Sequence, residues 1–204
     1  MTLVATAAVD VVDVLFPLQG HAVARDHAQA LRQAVVQLWP WLEHEPLAAI
    51  HPLKLVPGTE ALGLLSRRAR LALRVQADRM DELAAASGLQ LEVQGQRLLL
   101  GEPQLRDLRP HSAMYAYRVA ADGPDEGAFM ARVGRELDEL GLAAARVCGK
   151  HQHLQLQDGL LDAFSLMLHE MTQQDALRLQ QLGLGGHRLL GCGVFIPHKS
   201  AAAV

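Results

Sequence analysis

Ten histidines make imidazole chemistry the first possibility that this sequence raises. His44 lies between Glu43 and Glu45 in the segment WPWLEHEP, where a loop follows a helical pattern. Imidazole changes its charge near neutral pH, so we interpret His44, in this loop, as a candidate general acid or base. His27, at the start of the same helical pattern, is a second candidate, although a packing or capping role suits its position better. His51, at the head of the next predicted strand, is a lesser candidate.

Four arginines, Arg67, Arg68, Arg70 and Arg74, precede or lie within the alternating segment RARLALRVQ. The leucines and the valine of this segment share one face of the predicted strand, and its arginines share the other face. Arginines in such a row can contact successive phosphates of a nucleic acid or the edges of guanines. The alternative is a solvated strand face whose arginines pair with acidic neighbours.

The segment GLGGHRLLGCGVFIPHK (183–199) combines five glycines with basic side chains. A helical pattern precedes the glycines and a strand pattern follows them, which is the reverse of the order in dinucleotide-binding and Walker loops. A helix C-terminus presents carbonyls, so a nucleotide site is not expected here. Glycines do allow a backbone to approach a polyanion closely, although a simple helix cap and turn would also need them. The residues expected to contact phosphates are Gly185, Gly186, His187, Arg188 and Lys199.

Neither a metal nor another cofactor is expected. His151 and His153 have an i, i+2 spacing that metal ligands on a strand can have, but we expect no carboxylate or cysteine cluster to complete a site near them. Cys148 and Cys192 form no CxxC pair, and we expect small buried residues rather than a disulfide framework.

The elements that must position these residues form two similar series. The first predicted series is a strand at 9–18, a helix from Asp26 to Pro40, strands at 50–56 and 68–76, a helix from Asp78 to Gly88, and a strand or hairpin at 89–103. The second is a strand at 112–120, a helix that ends at Gly141, strands at 145–157 and 162–171, a helix opened by Thr172 and Asp175, and a last strand at 193–197. Each series has the order βαββαβ. The predicted fold class is α+β, with two tandem ferredoxin-like (βαββαβ, RRM-like) domains at residues 1–105 and 106–204.

Charge and composition narrow the class of protein further. The net charge is −3 with histidine neutral, and 50% of the residues are hydrophobic. A positive electrostatic potential over the whole protein surface is therefore excluded, and any nucleic-acid site must be a local patch. No segment approaches about 18 uninterrupted apolar residues, and the first residues lack the basic start of a secretory signal. We expect a cytoplasmic protein with no membrane partner.

Several segments together resemble the Cas6 family of CRISPR repeat-processing endoribonucleases, in the subgroup that accompanies some type I systems. The resemblance covers most of the chain and lies in VDVLFPLQG, RDHAQALRQAV, PWLEHEPLAAIHPLKL, SRRARLALRV and LGLGGHRLLGCGVFIPHK, in this order. It implies two ferredoxin-like domains that bind the stem-loop of CRISPR repeat RNA. It also implies other subunits of a type I effector complex as further partners.

The resemblance implies a chemistry as well. The family cuts at the hairpin base without metal: a 2′-hydroxyl attacks the adjacent phosphorus and leaves a 2′,3′-cyclic phosphate. A family histidine just after the first helix matches His44, and one early in that helix matches His27. Lys54 or an arginine of the group at 67–74 would stabilise the phosphorane. Some relatives have a tyrosine in the first helix, where this chain reads LRQAVVQLW. The alternative function is a non-catalytic subunit that caps the guide RNA in an effector complex.

Overall fold

The structure, a computed structural model, describes residues 10–198. The N-terminal elements are β1 (Val11–Gln19), β2 (Ala22–Ala24), α1 (Ala28–Leu38), β3 (Ala49–Ile50), β4 (Leu55–Val56), β5 (Leu62–Leu65), β6 (Arg70–Gln76), α2 (Met80–Ala84), β7 (Gln90–Val93), β8 (Gln96–Leu100) and β9 (Gln104–Asp107). The C-terminal elements are β10 (Met114–Ala121), α3 (Glu126–Leu140), β11 (Ala145–Leu156), β12 (Gly159–His169), α4 (Gln173–Leu182) and β13 (Ile196–Pro197). Short 3-10 turns occur at Pro40–His44, Ala77–Arg79 and Arg188–Leu190. Across this range, no helix combines the length and the apolar character that a membrane span requires.

The N-terminal sheet has the strand order β3-β6-β1-β8-β7, and β9 also pairs with β1. β1 and β6 are therefore central, and both carry the run of buried valine, leucine and phenylalanine that such a position requires. Their apolar side chains pack in one core with α1, where the rings of Phe16 and Trp39 stack 5.6 Å apart. β2, β5 and β4 form a small separate sheet beside this unit.

The C-terminal sheet has the order β11-β12-β10-β13, which repeats the arrangement of β3, β6, β1 and β8 in the first unit. Its own core includes Phe129 of α3 and Phe164 of β12, whose rings stack 4.8 Å apart. The predicted fold class is confirmed: the chain is α+β, with two ferredoxin-like units in tandem.

Local sequence signals determine most helix ends. α3 ends at Gly141, which has a φ of 63°, and α4 begins where the Thr172 side chain accepts a hydrogen bond from the Asp175 N–H, both as predicted. The sequence predicted that the first helix starts at Asp26, but the N-cap residue of α1 is His27, which makes no side-chain cap bond. The Asp26 carboxylate instead accepts a hydrogen bond from the Gln155 N–H of β11, 3.0 Å away.

The two units share an apolar interface. It consists of the buried residues Ala28, Ala120, Leu154, Ala163, Leu190 and Cys192. Cys192 is therefore the small buried residue that was predicted, whereas Cys148 is only half-buried, and both thiols are free. β9 pairs with β1 as far as the partners Val12 and Asp107, so the N-terminal sheet extends past residue 105, where the sequence placed the domain boundary.

Candidate functional site

A groove of about 680 Å³ lies between the two units. Its exposed cationic side chains come from the segment after β3, from the start of β6 and the residues just before it, and from β9 and the crossover that follows it. They are Lys54, Arg68, Arg70, Arg106 and Arg109, and we call the space that they line the cationic groove. Arg68 and Arg70 are exposed in it, and Arg67 is exposed next to Arg68. Three of the four predicted arginines are thus accessible to an anionic ligand.

A buried carboxylate, Asp13, forms part of the floor of the cationic groove and is 3% exposed. It accepts hydrogen bonds from His51 Nε2 at 3.1 Å, Arg74 Nε at 2.8 Å and Arg106 Nη2 at 2.8 Å. Burial opposes ionisation of this carboxyl, but His51 and Arg74 outweigh it and hold the pKa of Asp13 well below its usual range. Burial also lowers the pKa of His51, against the opposing influence of Asp13.

Arg74 does not lie on an RNA-accessible surface, so this part of the sequence prediction is wrong. Its side chain is 1% exposed, with Nε and Nη2 on Asp13 and Nη1 3.0 Å from each of two carbonyl oxygens, those of Gln180 and Phe195. The alternation in β6 correctly separates its two faces, but Gln180 of α4 and Phe195, just before β13, cover the second face at this point. Arg74 therefore links the N-terminal sheet to the C-terminal unit.

The glycine loop, residues 183–193, begins at the end of α4, where Gly183 stops the helix as predicted. The N–H of Gly185 donates to Glu136 Oε2 of α3 at 2.8 Å, which holds the start of the loop. Gly186 and His187 are exposed at its turn. Lys199, the last residue predicted to contact phosphates, lies outside the described residues.

Arg188 is not the surface cation that the sequence predicted. Its Nη2 donates to the carbonyl oxygens of Leu47 and Gln181, at 3.1 and 3.0 Å, and its Nε and Nη1 are buried with no partner in the described part of the chain. Burial, as the main cause, and nearby Arg74, as the second, together lower the pKa of this guanidinium to about 10. The side chain turns inward because the glycine loop packs onto the segment after α1, a contact that the sequence does not show.

His44 ends the 3-10 turn after α1 and is exposed. Its neighbours Glu43 and Glu45 line a second groove, of about 640 Å³, which we call the loop groove. Gly185, Gly186 and His187 also line the loop groove. The structure therefore brings the predicted catalytic turn and the predicted phosphate-binding loop to one surface.

His27 has a different environment. It is 4% exposed, and its Nδ1 lies 2.8 Å from the carbonyl oxygen of Ala24. Burial lowers the pKa of this imidazole, against the opposing influence of that carbonyl. The buried ring fits the packing role that the sequence favoured for His27.

Two features of the site were not predicted. Arg106 and Arg109 lie between the two predicted series of elements, in a segment where the sequence indicated no site residue. The association of Asp13 with His51 had one signal in the sequence, since Asp13 interrupts an otherwise apolar strand. The expectation that no carboxylate completes a metal-ligand set with His151 and His153 is wrong, because Asp162 lies beside both.

The comparisons with known proteins agree with this architecture. The family model described as Cas6 Crispr matches residues 12–200. The CRISPR-associated endonuclease Cas6 of Myxococcus xanthus (strain DK1622) is 34% identical over 194 residues, which are 95% of this chain and 84% of that protein. A solved CRISPR-associated protein Cas6 superposes with a TM-score of 0.68 at 9% identity, over 93% of this chain and all (100%) of that chain. A Cas6-related protein of Pyrococcus furiosus gives a TM-score of 0.61 at 11% identity, over 91% of this chain and 97% of that chain. This chain belongs to the Cas6 family of CRISPR repeat-processing endoribonucleases.

Proposed function

We propose that this Cas6 endoribonuclease binds the stem-loop of a CRISPR repeat transcript and cleaves precursor CRISPR RNA without a metal ion. The family match over nearly the whole chain is the observation that carries this proposal. The cationic groove and the exposed turn of the glycine loop add local sites for phosphates on a chain whose net charge is −3.

The proposed reaction needs only groups that the RNA and the protein supply. The 2′-oxygen attacks the adjacent phosphorus, its proton passes to a base, and the bond from phosphorus to the 5′-oxygen breaks. An acid protonates that departing oxygen, so the products carry a 2′,3′-cyclic phosphate and a 5′-hydroxyl. The protein has to transfer these protons, hold the three reacting atoms in line and stabilise the additional negative charge.

We assign the acid–base role to His44. Its imidazole is exposed, and the turn that carries it is anchored by the buried side chain of Leu42 and by an ion pair of 2.5 Å between Glu43 and Arg32 of α1. An exposed ring on an anchored turn can reach RNA and still hold a defined position. Lys54, an exposed cation of the cationic groove, is the proposed stabiliser of the phosphorane charge.

We assign RNA binding to two surfaces. Arg67, Arg68 and Arg70 are the proposed phosphate ligands on and beside the cationic groove, because their side chains are exposed. The glycine loop is the second surface, with residues Gly185, Gly186 and His187, and Lys199 stays a proposed ligand. In this division the N-terminal unit carries the catalytic histidine and the C-terminal unit carries the loop.

Cleavage of the cognate repeat RNA in the presence of EDTA tests the proposal. Wild-type protein should cut, and the same RNA with a 2′-deoxy nucleotide at the scissile position should stay intact. His44→Ala should abolish the cut and retain hairpin binding. His21→Ala, which removes another exposed histidine, is the matched control and should cut normally.

Three outcomes would contradict parts of this assignment. Binding without any cleavage would favour the non-catalytic subunit that caps a guide RNA. Cleavage of the 2′-deoxy substrate would exclude the 2′-hydroxyl as nucleophile. Full activity of His44→Ala, with loss in His51→Ala, would move the acid–base role to the floor of the cationic groove.

We further propose that the protein acts in the cytoplasm and passes its product, while still bound, to other subunits of a type I effector complex. This proposal is supported by the sequence resemblance to the subgroup that accompanies some type I systems. Purification of the tagged protein from its own host, with and without ribonuclease treatment, tests it. Recovery of the protein without any other CRISPR-associated subunit in both samples would contradict it.

A further inference from the structure

Three side chains of metal-ligand type meet on the hairpin of β11 and β12. His151 Nε2 lies 2.6 Å from Asp162 Oδ1, and His153 Nδ1 lies 3.2 Å from the same oxygen. The three ligand atoms all lie within 4.8 Å of one another. The side chains are 30%, 54% and 21% exposed for His151, His153 and Asp162, so an ion from solvent can reach them.

The strand ladder places these residues together. His153 pairs directly with Asp162, and His151 pairs with Phe164 after an irregularity that follows Cys148. Residues two apart on a strand share a face, so both imidazoles and the carboxylate project from the same side of the hairpin. The His151 ring also packs against Phe164, a buried core residue, with 4.7 Å between ring centroids. This contact restricts the ring before any ligand binds.

We propose that His151, His153 and Asp162 bind one divalent transition-metal ion of the Zn²⁺ type. Two imidazole nitrogens and a carboxylate oxygen are a donor set that Zn²⁺ and Co²⁺ accept. Ligand atoms that lie about 2.1 Å from a tetrahedral ion are about 3.4 Å from one another. The separation of 3.2 Å between His153 and Asp162 is close to this value, and that of 2.6 Å between His151 and Asp162 has to widen by roughly 0.8 Å.

The position of this site indicates a structural role for the ion. The three residues stand outside the described linings of both the cationic groove and the loop groove. Leu154 and Ala163, their neighbours in sequence, project to the other side of the hairpin and lie in the apolar interface between the units. An ion that joins β11 to β12 here stabilises the hairpin, and its fourth coordination position holds water. RNA cleavage does not require it.

Titration of chelator-stripped, tag-free protein with CoCl₂ and with ZnCl₂ tests the proposal. Wild-type protein should bind one ion per chain, and the Co²⁺ form should show the visible absorption of a tetrahedral nitrogen–oxygen site. The midpoint of thermal unfolding should rise with the free Zn²⁺ concentration, because the ion binds the folded chain. His153→Ala and Asp162→Asn should each weaken binding by at least about tenfold, and His21→Ala should not change it.

Circular dichroism of each variant establishes that the protein still folds. The proposal is overturned if the wild-type protein shows no saturable binding, or if His153→Ala and Asp162→Asn, both folded, bind as tightly as the wild-type protein. If the wild-type protein needs added metal for RNA cleavage and neither variant responds to the metal, the proposed structural role of the ion is overturned. Loss of RNA cleavage in EDTA that persists in both variants would contradict the proposed function instead.

Discussion

Replacement of Arg74 by alanine should destabilise the protein, rather than weaken its contact with RNA. Arg74 is 1% exposed and donates four hydrogen bonds: two to the Asp13 carboxylate and one to each carbonyl oxygen of Gln180 and Phe195. The substitution removes the positive partner of a buried ion pair and also leaves two main-chain oxygens of the other unit without this donor.

The expected loss follows from these contacts. Removal of one partner from a buried ion pair costs about 3–5 kcal/mol. Asp13 keeps His51 and Arg106, which reduces the loss, whereas the two carbonyl oxygens that lose a donor increase it. We therefore expect the free energy of unfolding to fall by about 3–5 kcal/mol, which lowers the melting temperature of a chain of this length by roughly 6–20 °C.

Urea denaturation, followed by the fluorescence of the two tryptophans, measures this loss. The matched control is Arg70→Ala, because Arg70 lies four residues away on the same strand but is exposed. It should change the free energy of unfolding by no more than about 0.5 kcal/mol and should weaken RNA binding. Arg74→Lys should fall between the wild-type protein and Arg74→Ala, since lysine keeps the charge without the planar fork. The reasoning is refuted if Arg74→Ala is as stable as Arg70→Ala and loses RNA affinity to the same extent.

Three further measurements test other parts of the structure. Burial lowers the pKa of His27, so on acidification the unfolded chain takes up a proton at about pH 6.5, before the folded chain does. The free energy of unfolding therefore falls as the pH is lowered. In urea denaturation at a series of pH values, His27→Gln should show a smaller decrease in this free energy between pH 7 and 5. Gly183→Ala should destabilise more than Gly141→Ala, which should cost about 1 kcal/mol. Both glycines have positive φ, but a Cβ at Gly183 would meet the Gly193 carbonyl oxygen at 2.6 Å, and thermal melts that show equal losses would contradict this. The double variant Arg68→Ala and Arg70→Ala should reduce the slope of log RNA affinity against log salt by up to about 2, and an unchanged slope would remove both from the phosphate ligands.

The sequence predicts the fold well because its strongest signals are local. The two βαββαβ series, the end of α3 at Gly141 and the start of α4 at Thr172 each depend on residues close together in the chain. Apolar periodicity and capping residues act over a few positions, so they can be recognised without any tertiary contact.

The side-chain environments depend on contacts between distant segments, and here the sequence predictions were less successful. The arginine face of β6 looks uniform in sequence, yet the C-terminal unit covers it at Arg74 and leaves it open at Arg68 and Arg70. Asp162 is nine residues from His153 and becomes its direct partner only because β11 and β12 pair in one register. The environment of Asp13 likewise combines three segments that no local pattern connects.

The way in which Arg74 holds the two units together has a consequence for sequence variation. Its bonds to the C-terminal unit end on main-chain oxygens, at positions 180 and 195, and not on side chains. Substitution at either of those positions leaves the acceptor in place as long as the backbone keeps its path. The constraint on this junction is therefore one-sided: position 74 requires arginine, whereas its two partners across the junction are specified by the course of the chain and can change their side chains without altering the bond.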